Sequence, residues 1–476
     1  MNKNIKYINK VIQGDCLEVM KDFPDNCIDT IITDPPYGLK FMGKEWDNFR
    51  NSKVAKSQVI KNLGTGMRQT TLQENINFME WTTEWATEAL RVLKPGGTAL
   101  IFAGSRTQHL IAFGVELAGF ILKDCIMWLY GSGFPKATDI SKILDKDECR
   151  KQLIKKLGRK PTKEEFEKEW KEFRIVIEEK YRGKNAGKQS GIMGKTVERT
   201  DIKTAPATPE AILWNGWKSH GLKPAYEPIL VAMKPNEGSY ANNALKWGVA
   251  GLNIDGGRLP TQGRKTGTKN PNAQKGSGNC YQGSDGKKQM EYDLQSKGRF
   301  PANIILDEEA GRLLDEQTQN VGNTKPHKIK SNIEKYEGYG SITKKTGEIV
   351  NYNEPNSKGA SRFFYCAKAS KSERNRGCEG LDIPEYRWNN GGICQQIKGQ
   401  KGNCHPTVKP LSLMKYLCTI TKNPTSGIVL DPFCGSGTTL MACKETGRKY
   451  IGIEKEKKYC DIAIKRINET PARLFY

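Results

Sequence analysis

The chain has 476 residues, which is long enough for two or three domains. Its 76 Lys and Arg residues outnumber 53 Asp and Glu, so the net charge is +23 and the pI is about 9.3. A charge of this size favours a polyanionic partner, most commonly nucleic acid. Because residues 1–135 are nearly neutral, the excess lies further along the chain, and a general solubility effect explains it less well.

The thirteen cysteines contain no Cys-x-x-Cys pair, which favours reduced thiols in a cytoplasmic protein. Structural zinc sites usually need closer pairs than one cysteine-containing region provides, so we predict no metal and leave a zinc site in that region as an open alternative. That region holds Cys366, Cys378, Cys394 and Cys404. The longest apolar stretch, Leu110–Leu122, contains Glu116 and is too short to span a membrane.

Apolar runs alternate with amphipathic helices along residues 1–135. The predicted strands are Val11–Asp15, Cys27–Thr33, Thr98–Ala103 and Phe120–Leu129. The predicted helices are Cys16–Phe23, Asn75–Leu93 and Ser105–Leu117, with a stop at Lys94–Gly97. This alternation predicts an α/β fold with a doubly wound, mostly parallel sheet. Ligands of such sheets bind at the carboxyl ends of the strands.

The middle of the chain has a different character. Residues 136–220 form a charged insertion in which Asp139–Arg182 is predicted to be a helical pair. Residues 221–235 contain an apolar strand, Tyr226–Met233, that would return to the sheet. Residues 236–400 are basic and include the Gly- and Lys-rich stretch Gly256–Lys297.

Residues 401–476 resume the alternation of helices and strands. The predicted order is helix Leu411–Thr421, strand Gly427–Leu430, helix Thr438–Thr446, strand Tyr450–Ile453 and helix Tyr459–Ile467. A β-α-β unit of this kind opens nucleotide-binding sheets. We therefore predict that residues 1–135 and 401–476 are two parts of one catalytic domain.

A glycine turn, Asp431–Thr439 (Asp-Pro-Phe-Cys-Gly-Ser-Gly-Thr-Thr), follows one of these strands. Glycines here let the backbone approach a ligand closely at a helix N-terminus. A phosphate site is disfavoured, since no GxxxxGK[ST] motif is present and Asp431 would repel phosphate. Glu454 ends the next strand and suits a ribose diol. These residues predict a nucleoside that carries an ammonium group, such as S-adenosylmethionine.

A second motif, Asp34-Pro35-Pro36-Tyr37, follows the strand Cys27–Thr33. The exocyclic amine of adenine is a poor nucleophile, because its lone pair is delocalised into the ring. The Asp34 carboxylate and the Pro35 carbonyl can accept both amine hydrogens, and the prolines stiffen the loop without offering an N–H. Tyr37 offers a ring on which a flipped base can stack.

This pair of motifs resembles the amino-group DNA methyltransferases. The order, with the base-pocket motif first and the cofactor motif last, resembles their permuted beta group of bacterial and phage adenine-N6 enzymes. The resemblance implies a circularly permuted Rossmann-like class I methyltransferase fold. It also implies that Asp34, Pro35, Pro36 and Tyr37 are catalytic. The cofactor-binding residues that it implies are Asp15, Cys16, Asp34, Thr407, Lys409, Asp431, Phe433, Gly435, Gly437, Thr438 and Glu454.

The basic residues 236–400 stand where such enzymes carry their target-recognition region, so double-stranded DNA is the expected substrate. Cytosine-N4 methylation is the nearest alternative, although Asp34 favours adenine. Methylation of RNA or of protein glutamine, and a silent DNA-binding module, fit the motifs and the charge less well. The sequence leaves open a homodimer, a separate restriction endonuclease and the role of the insertion. It also leaves open which arginines read bases.

Overall fold

A computed structural model gives the architecture of the chain. It describes residues 6–38, 72–131, 133, 137–184, 198–260, 298–318, 327–328, 349–350, 359–367, 373, 375–378, 382–388, 394–401, 403, 405, 407–425 and 427–471. Most of the basic stretch Gly256–Lys297, the polar residues 39–71, for which the sequence predicts a loop, and Cys404 lie outside these residues.

The described strands and helices have the following bounds. The strands are β1 (Lys10–Gln13), β2 (Ile28–Thr33), β3 (Leu93–Phe102), β4 (Ile121–Leu129), β5 (Ile175–Lys184), β6 (Glu198–Ala205), β7 (Tyr226–Met233), β8 (Ile304–Asp307), β9 (His327–Lys328), β10 (Ile349–Val350), β11 (Tyr365–Ala367), β12 (Asp382–Trp388), β13 (Cys394–Lys401), β14 (Ile428–Asp431) and β15 (Lys449–Glu454). The helices are α1 (Cys16–Lys21), α2 (Leu72–Val92), α3 (Gln108–Leu117), α4 (Ile140–Leu157), α5 (Lys163–Phe173), α6 (Pro209–Leu213), α7 (Tyr240–Trp247), α8 (Glu308–Thr318), α9 (Leu411–Ile420), α10 (Thr438–Thr446) and α11 (Lys457–Asn468).

Within the described residues, nine strands form one sheet in the order β1-β15-β14-β2-β3-β7-β4-β8-β11. Neighbouring strands are parallel, except that β7 runs antiparallel to both β3 and β4. This confirms the predicted mostly parallel α/β fold. The C-terminal strands β14 and β15 lie between the N-terminal strands β1 and β2, so both ends of the chain build one sheet.

Helices cover both faces of this sheet, as the apolar runs of the strands predict. All six residues of β2 are buried, and adjacent residues face opposite ways: Ile31 packs in one core and Ile32 in the other. The first core takes side chains from α1, α2 and α3, including Trp85. The second takes them from α9 and α10, including Leu440.

The start of β3 differs from the prediction. Lys94–Gly97 does not separate helix from strand, because β3 begins at Leu93, directly after α2. Beyond the end of β7, Lys234 exchanges backbone hydrogen bonds with Gly96 and Gly97, so these glycines remain paired with a neighbour. Gly96 has a φ of 71°, a conformation that glycine adopts without strain.

The predicted helical pair at Asp139–Arg182 is confirmed only in part. Asp139 caps α4 and Thr162 begins α5 with a capping box, so both helices are specified by their own N-termini. Residues 175–182 were wrongly predicted as helix: they lie in β5, which pairs antiparallel with β6. The β-branched start of β5, Ile175-Val176-Ile177, favours a strand.

The chain divides into two compact units. The first comprises Met1–Gly131, Tyr226–Glu373 and Thr407–Tyr476 and contains the nine-stranded sheet. Strands β8 and β11 extend this sheet, although they belong to the basic region 236–400. The second unit comprises Ser132–Ala225 and Arg374–Pro406 and contains α4 to α6, the β5–β6 pair and the β12–β13 hairpin. In the part of the chain that the structure describes, no helix is long and apolar enough to cross a membrane.

Candidate active site

The two sequence motifs meet at the carboxyl edge of the main sheet. Asp34 follows β2 and Asp431 ends β14, and these strands are hydrogen-bonded neighbours. The Thr33 hydroxyl donates to the Asp431 carboxylate over 2.8 Å, across a separation of 398 residues in the chain. The parallel pairing of β2 and β14 therefore brings the motifs together, as their positions at strand ends predict.

The Asp34 carboxylate is held by two donors. The Tyr37 hydroxyl donates to Oδ1 over 2.6 Å, and the Lys409 ammonium donates to Oδ2 over 2.7 Å. Thr107 donates to the Tyr37 backbone carbonyl over 2.7 Å, which fixes the end of the Asp34–Tyr37 loop. The Asp34 side chain remains 20% exposed, so the carboxylate is still reachable from solvent.

Glu227, near the start of β7, completes this group. Its Oε2 atom lies 3.1 Å from the Lys409 ammonium and 3.3 Å from the Tyr37 hydroxyl. Burial alone would lower the pKa of Lys409, but the Asp34 and Glu227 carboxylates outweigh it and raise the pKa. Burial, together with the same two carboxylates, raises the pKa of Tyr37. Lys409 is therefore a cation and Tyr37 a neutral hydroxyl at ordinary pH.

The buried side chain of Asp431 stabilises the glycine turn through hydrogen bonds. The Asp431 side chain accepts hydrogen bonds from Thr33 and from the Phe433 N–H, and Thr439 adds another. Burial raises the pKa of Asp431 to about 7, although these hydrogen bonds oppose the shift. Gly437 has a φ of 80°, and a Cβ there would lie 2.9 Å from the Cβ of Ala463, so only glycine fits.

Arg466, on α11, binds the other side of this turn. Its Nη1 atom donates to the Ser436 carbonyl over 2.6 Å, to the Ser436 hydroxyl over 3.0 Å and to the Thr438 hydroxyl over 3.1 Å. The residue is only 1% exposed. These bonds satisfy turn oxygens that water cannot reach, so Arg466 fixes the shape of the turn.

Acidic side chains follow the next two strands along this edge. Glu454 ends β15 and accepts from the N–H groups of Gly435 and Glu456 over 2.9 and 2.8 Å. Burial raises the pKa of Glu454. Asp15 follows β1, caps α1 through the Leu17 N–H and forms an exposed ion pair with Lys455. The Glu454 carboxylate therefore contacts the glycine turn, and Asp15 lies at the end of the adjacent strand β1.

The remaining predicted residues have different surroundings. Phe433 packs against Trp81 and Trp85 of α2, with ring centroids 5.6 and 5.4 Å away. Cys16 is buried, and burial raises its pKa to about 12, so it is a neutral thiol. Pro35 is buried and Pro36 is partly exposed. Thr407 is exposed, whereas Lys409, two residues on, lies against Asp34.

Sequence reasoning missed two charged residues of this site. Glu227 was noted only as part of a strand, although an acid near the start of an apolar strand is a usable signal. Arg466 was noted only as part of a helix, although it interrupts an apolar helix face. Among the described residues, no group of three or more His, Cys, Asp or Glu side chains could hold a metal ion.

The chain matches a family model, N6_N4_Mtase, described as DNA methylase, over residues 28–465. This match spans most of the sequence and includes both motifs of the site. The chain belongs to the DNA methylase family. The predicted enzyme class, methylation of DNA, and the predicted cofactor of this family, S-adenosylmethionine, are thereby confirmed.

Proteins similar in sequence include two type II methyltransferases of Haemophilus influenzae. M.HindIII is 21% identical over 98% of this chain and 98% of its own length, and M.HinfI is 46% identical over 16% of this chain and 21% of its own. Among solved structures, the PvuII cytosine-N4-specific DNA methyltransferase is 12% identical, with a TM-score of 0.41 over 97% of this chain and 89% of that one. The assignment to the DNA methylases depends on the family match.

Proposed function

We propose that this DNA methylase transfers a methyl group from S-adenosylmethionine to the N6 amine of a flipped adenine in double-stranded DNA. The observation that carries the proposal is the position of the Asp34 carboxylate. It follows β2, directly beside the strand that ends in the glycine turn. An amine bound to Asp34 would therefore lie next to a nucleoside bound at the turn.

Asp34 and Pro35 supply the acceptors that the amine needs. A carboxylate and a carbonyl that accept both amine hydrogens draw the nitrogen toward tetrahedral geometry and make its lone pair available. Tyr37 would stack on the extruded base. The transfer is direct and in line, and no bond to the enzyme forms, because the site contains hydrogen-bond acceptors rather than an activated nucleophile.

The carboxyl edge of the sheet beside the glycine turn offers hydrogen-bond acceptors that match the donors of S-adenosylmethionine. Glu454 and Asp15 offer carboxylate oxygens, which accept from ribose hydroxyls and from the adenine amine of a nucleoside. Phe433, backed by two tryptophans, offers an aromatic contact, and Gly435 and Gly437 keep the backbone open. The bound cofactor supplies an electrophilic methyl group. We assign Lys409 to the base pocket, because its ammonium lies on Asp34.

The order of the strands supports membership of the permuted beta group. Strands β14 and β15, which carry the glycine turn and Glu454, come last in the chain but lie between β1 and β2. The net charge of +23 supports DNA as a polyanionic partner, and the basic residues 236–400 are our candidate for target recognition. A cytoplasmic location follows as part of the same proposal.

Identification of the methylated base tests the proposal. The protein is incubated with S-adenosylmethionine labelled on the methyl group and with duplex DNAs of varied sequence, and the digested nucleosides are separated. We expect the label in N6-methyladenine. Label in N4-methylcytosine would replace the adenine assignment, and label in single-stranded RNA but not in duplex DNA would overturn the DNA substrate.

A further inference from the structure

Glu227 is not part of either motif, yet it contacts the base pocket directly. Its carboxylate lies near the start of β7, where the backbone of Glu227 pairs with Trp128 of β4. The Oε2 atom lies within hydrogen-bonding distance of both donors that bind Asp34, the Lys409 ammonium and the Tyr37 hydroxyl. Each donor therefore faces two carboxylates at once.

This sharing matters because both oxygens of Asp34 are already engaged. Tyr37 binds Oδ1 and Lys409 binds Oδ2, so the charge of the carboxylate is neutralised by the Lys409 ammonium. A carboxylate paired with an ammonium is a weaker acceptor for an incoming amine. For Asp34 to accept a strong hydrogen bond from the target amine, Lys409 must pair with another carboxylate.

Lys409 cannot simply turn to solvent. Its side chain is only 9% exposed, and its ammonium lies 5.0 Å from the ring centroid of Phe102. A buried ammonium without a carboxylate partner is strongly unfavourable. Glu227 is 24% exposed and already within 3.1 Å, so it can take over the ammonium with little movement.

We propose that Glu227 is a positioning residue that takes over Lys409 and Tyr37 when Asp34 binds the target amine. This inference rests on the proposed function of Asp34. In the structure the two carboxylates share the ammonium. When the base enters, Lys409 pairs with Glu227, and the Asp34 oxygens accept from the amine.

The test compares single-turnover rates of label transfer to DNA for the wild type, Glu227→Gln, Lys409→Met and the double variant. Glu227→Gln keeps the shape but removes the charge, so Lys409 stays on Asp34, and we expect a rate loss of about 100-fold, typical of a misplaced reacting group. Lys409→Met also loses activity, because two carboxylates then face each other without a cation. In the double variant Asp34 has no ammonium to release, so its loss should be smaller than the product of the two single losses.

Cofactor affinity, measured by calorimetry, should be unchanged in Glu227→Gln. The matched control is Glu116→Gln, an exposed glutamate on α3, which should transfer label at the wild-type rate. A wild-type rate in Glu227→Gln, or a double variant whose loss equals the product, would overturn the proposal. Loss of cofactor binding in Glu227→Gln would assign the carboxylate to folding and also overturn it.

The rate ratios are read from label in any base, so they do not depend on the adenine assignment. If the wild type labels cytosine, the proposed base is wrong, yet the ratio between the wild type and Glu227→Gln still decides the role of Glu227.

Discussion

Two Asp-Pro turns follow neighbouring strands of this methylase, and their acids have opposite surroundings. Asp34 is partly exposed and is bound by an ammonium and a phenol. Asp431 is 2% exposed and is bound by hydroxyls and a backbone N–H, without a cation. The same dipeptide therefore leaves its carboxylate accessible to solvent in one turn and fixes the backbone in the other. Sequence alone does not separate these roles, because they depend on side chains from distant elements.

Among the variants considered, the one that removes the Asp34 charge should have the largest effect, and this effect should be on methyl transfer. Asparagine keeps the size of the side chain but carries no charge, so its amide oxygen is a weaker acceptor for the amine hydrogen than the carboxylate is. We expect Asp34→Asn to lower kcat for methyl transfer about 1000-fold, at the upper end for loss of one stabilising group. Cofactor affinity should hardly change.

The measurement is label transfer together with calorimetric titration of the cofactor, and Asp22→Asn, at the exposed C-terminus of α1, is the control. If Asp34→Asn lowers cofactor affinity as much as kcat, Asp34 contributes to cofactor binding, as proposed for the glycine turn. The distinction between the two acids would then be lost.

Removal of Arg466 should disturb the second turn but not the first. Arg466→Met keeps an apolar stem and leaves the Ser436 carbonyl without this buried donor. We expect the free energy of unfolding to fall by about 3 kcal/mol, the upper range for a bond from a charged donor. We also expect weaker cofactor binding, since the turn loses its fixed shape.

Urea unfolding and calorimetry measure these two effects. Lys465→Met, one residue away on the exposed side of the same helix, is the control. If Arg466→Met lowers stability but leaves cofactor affinity intact, the turn keeps its shape without the guanidinium.

Asp431 predicts a pH dependence of stability. Its pKa is about 7 in the folded chain and 3.8 ordinarily, so the folded state holds a proton that the unfolded state releases. Stability from this group is therefore lost as the pH rises from about 4 to 7. Relative to the wild type, Asp431→Asn should gain at least about 1 kcal/mol across this interval, since one pKa unit is worth about 1.4 kcal/mol.

Unfolding of both proteins by urea at pH 5 and pH 7.5 tests this sign. Asp22→Asn should show no such gain. A difference between the wild type and Asp431→Asn that is constant with pH would mean that the buried acid is ionised throughout the range.

The smallest effect is expected at the exposed ion pair beyond the end of β1. The Lys455–Asp15 pair is exposed on both sides, and such pairs contribute about 0–1 kcal/mol. Lys455→Met should leave the free energy of unfolding nearly unchanged in urea titrations. A loss above about 2 kcal/mol would contradict an exposed pair of this kind and would indicate that Asp15 depends on Lys455 for its position.

The alternation of apolar runs and amphipathic helices predicts the sheet, because the apolar composition of each strand shows that the strand must be buried. The motif residues are also predictable, since Asp34 and Asp431 stand at strand ends. Three features needed the tertiary structure. Glu227 reaches the site only because β7 runs antiparallel. The strands β8 and β11 are short apolar pieces in a polar stretch, and their pattern does not predict that they extend the main sheet. Strand β5 follows two charged helices whose pattern extends into it.

The position of β14 and β15 between β1 and β2 has a consequence for synthesis. A ribosome delivers β2 long before β14, with 398 residues between Thr33 and Asp431. At about 5–20 residues per second, roughly 20–80 seconds separate them. Throughout that time β2 lacks one of its two neighbours, β14, and the nascent chain has no glycine turn. Translation that stops before β14 would therefore release a chain without the glycine turn, and on the proposed function such a chain would not bind the methyl donor.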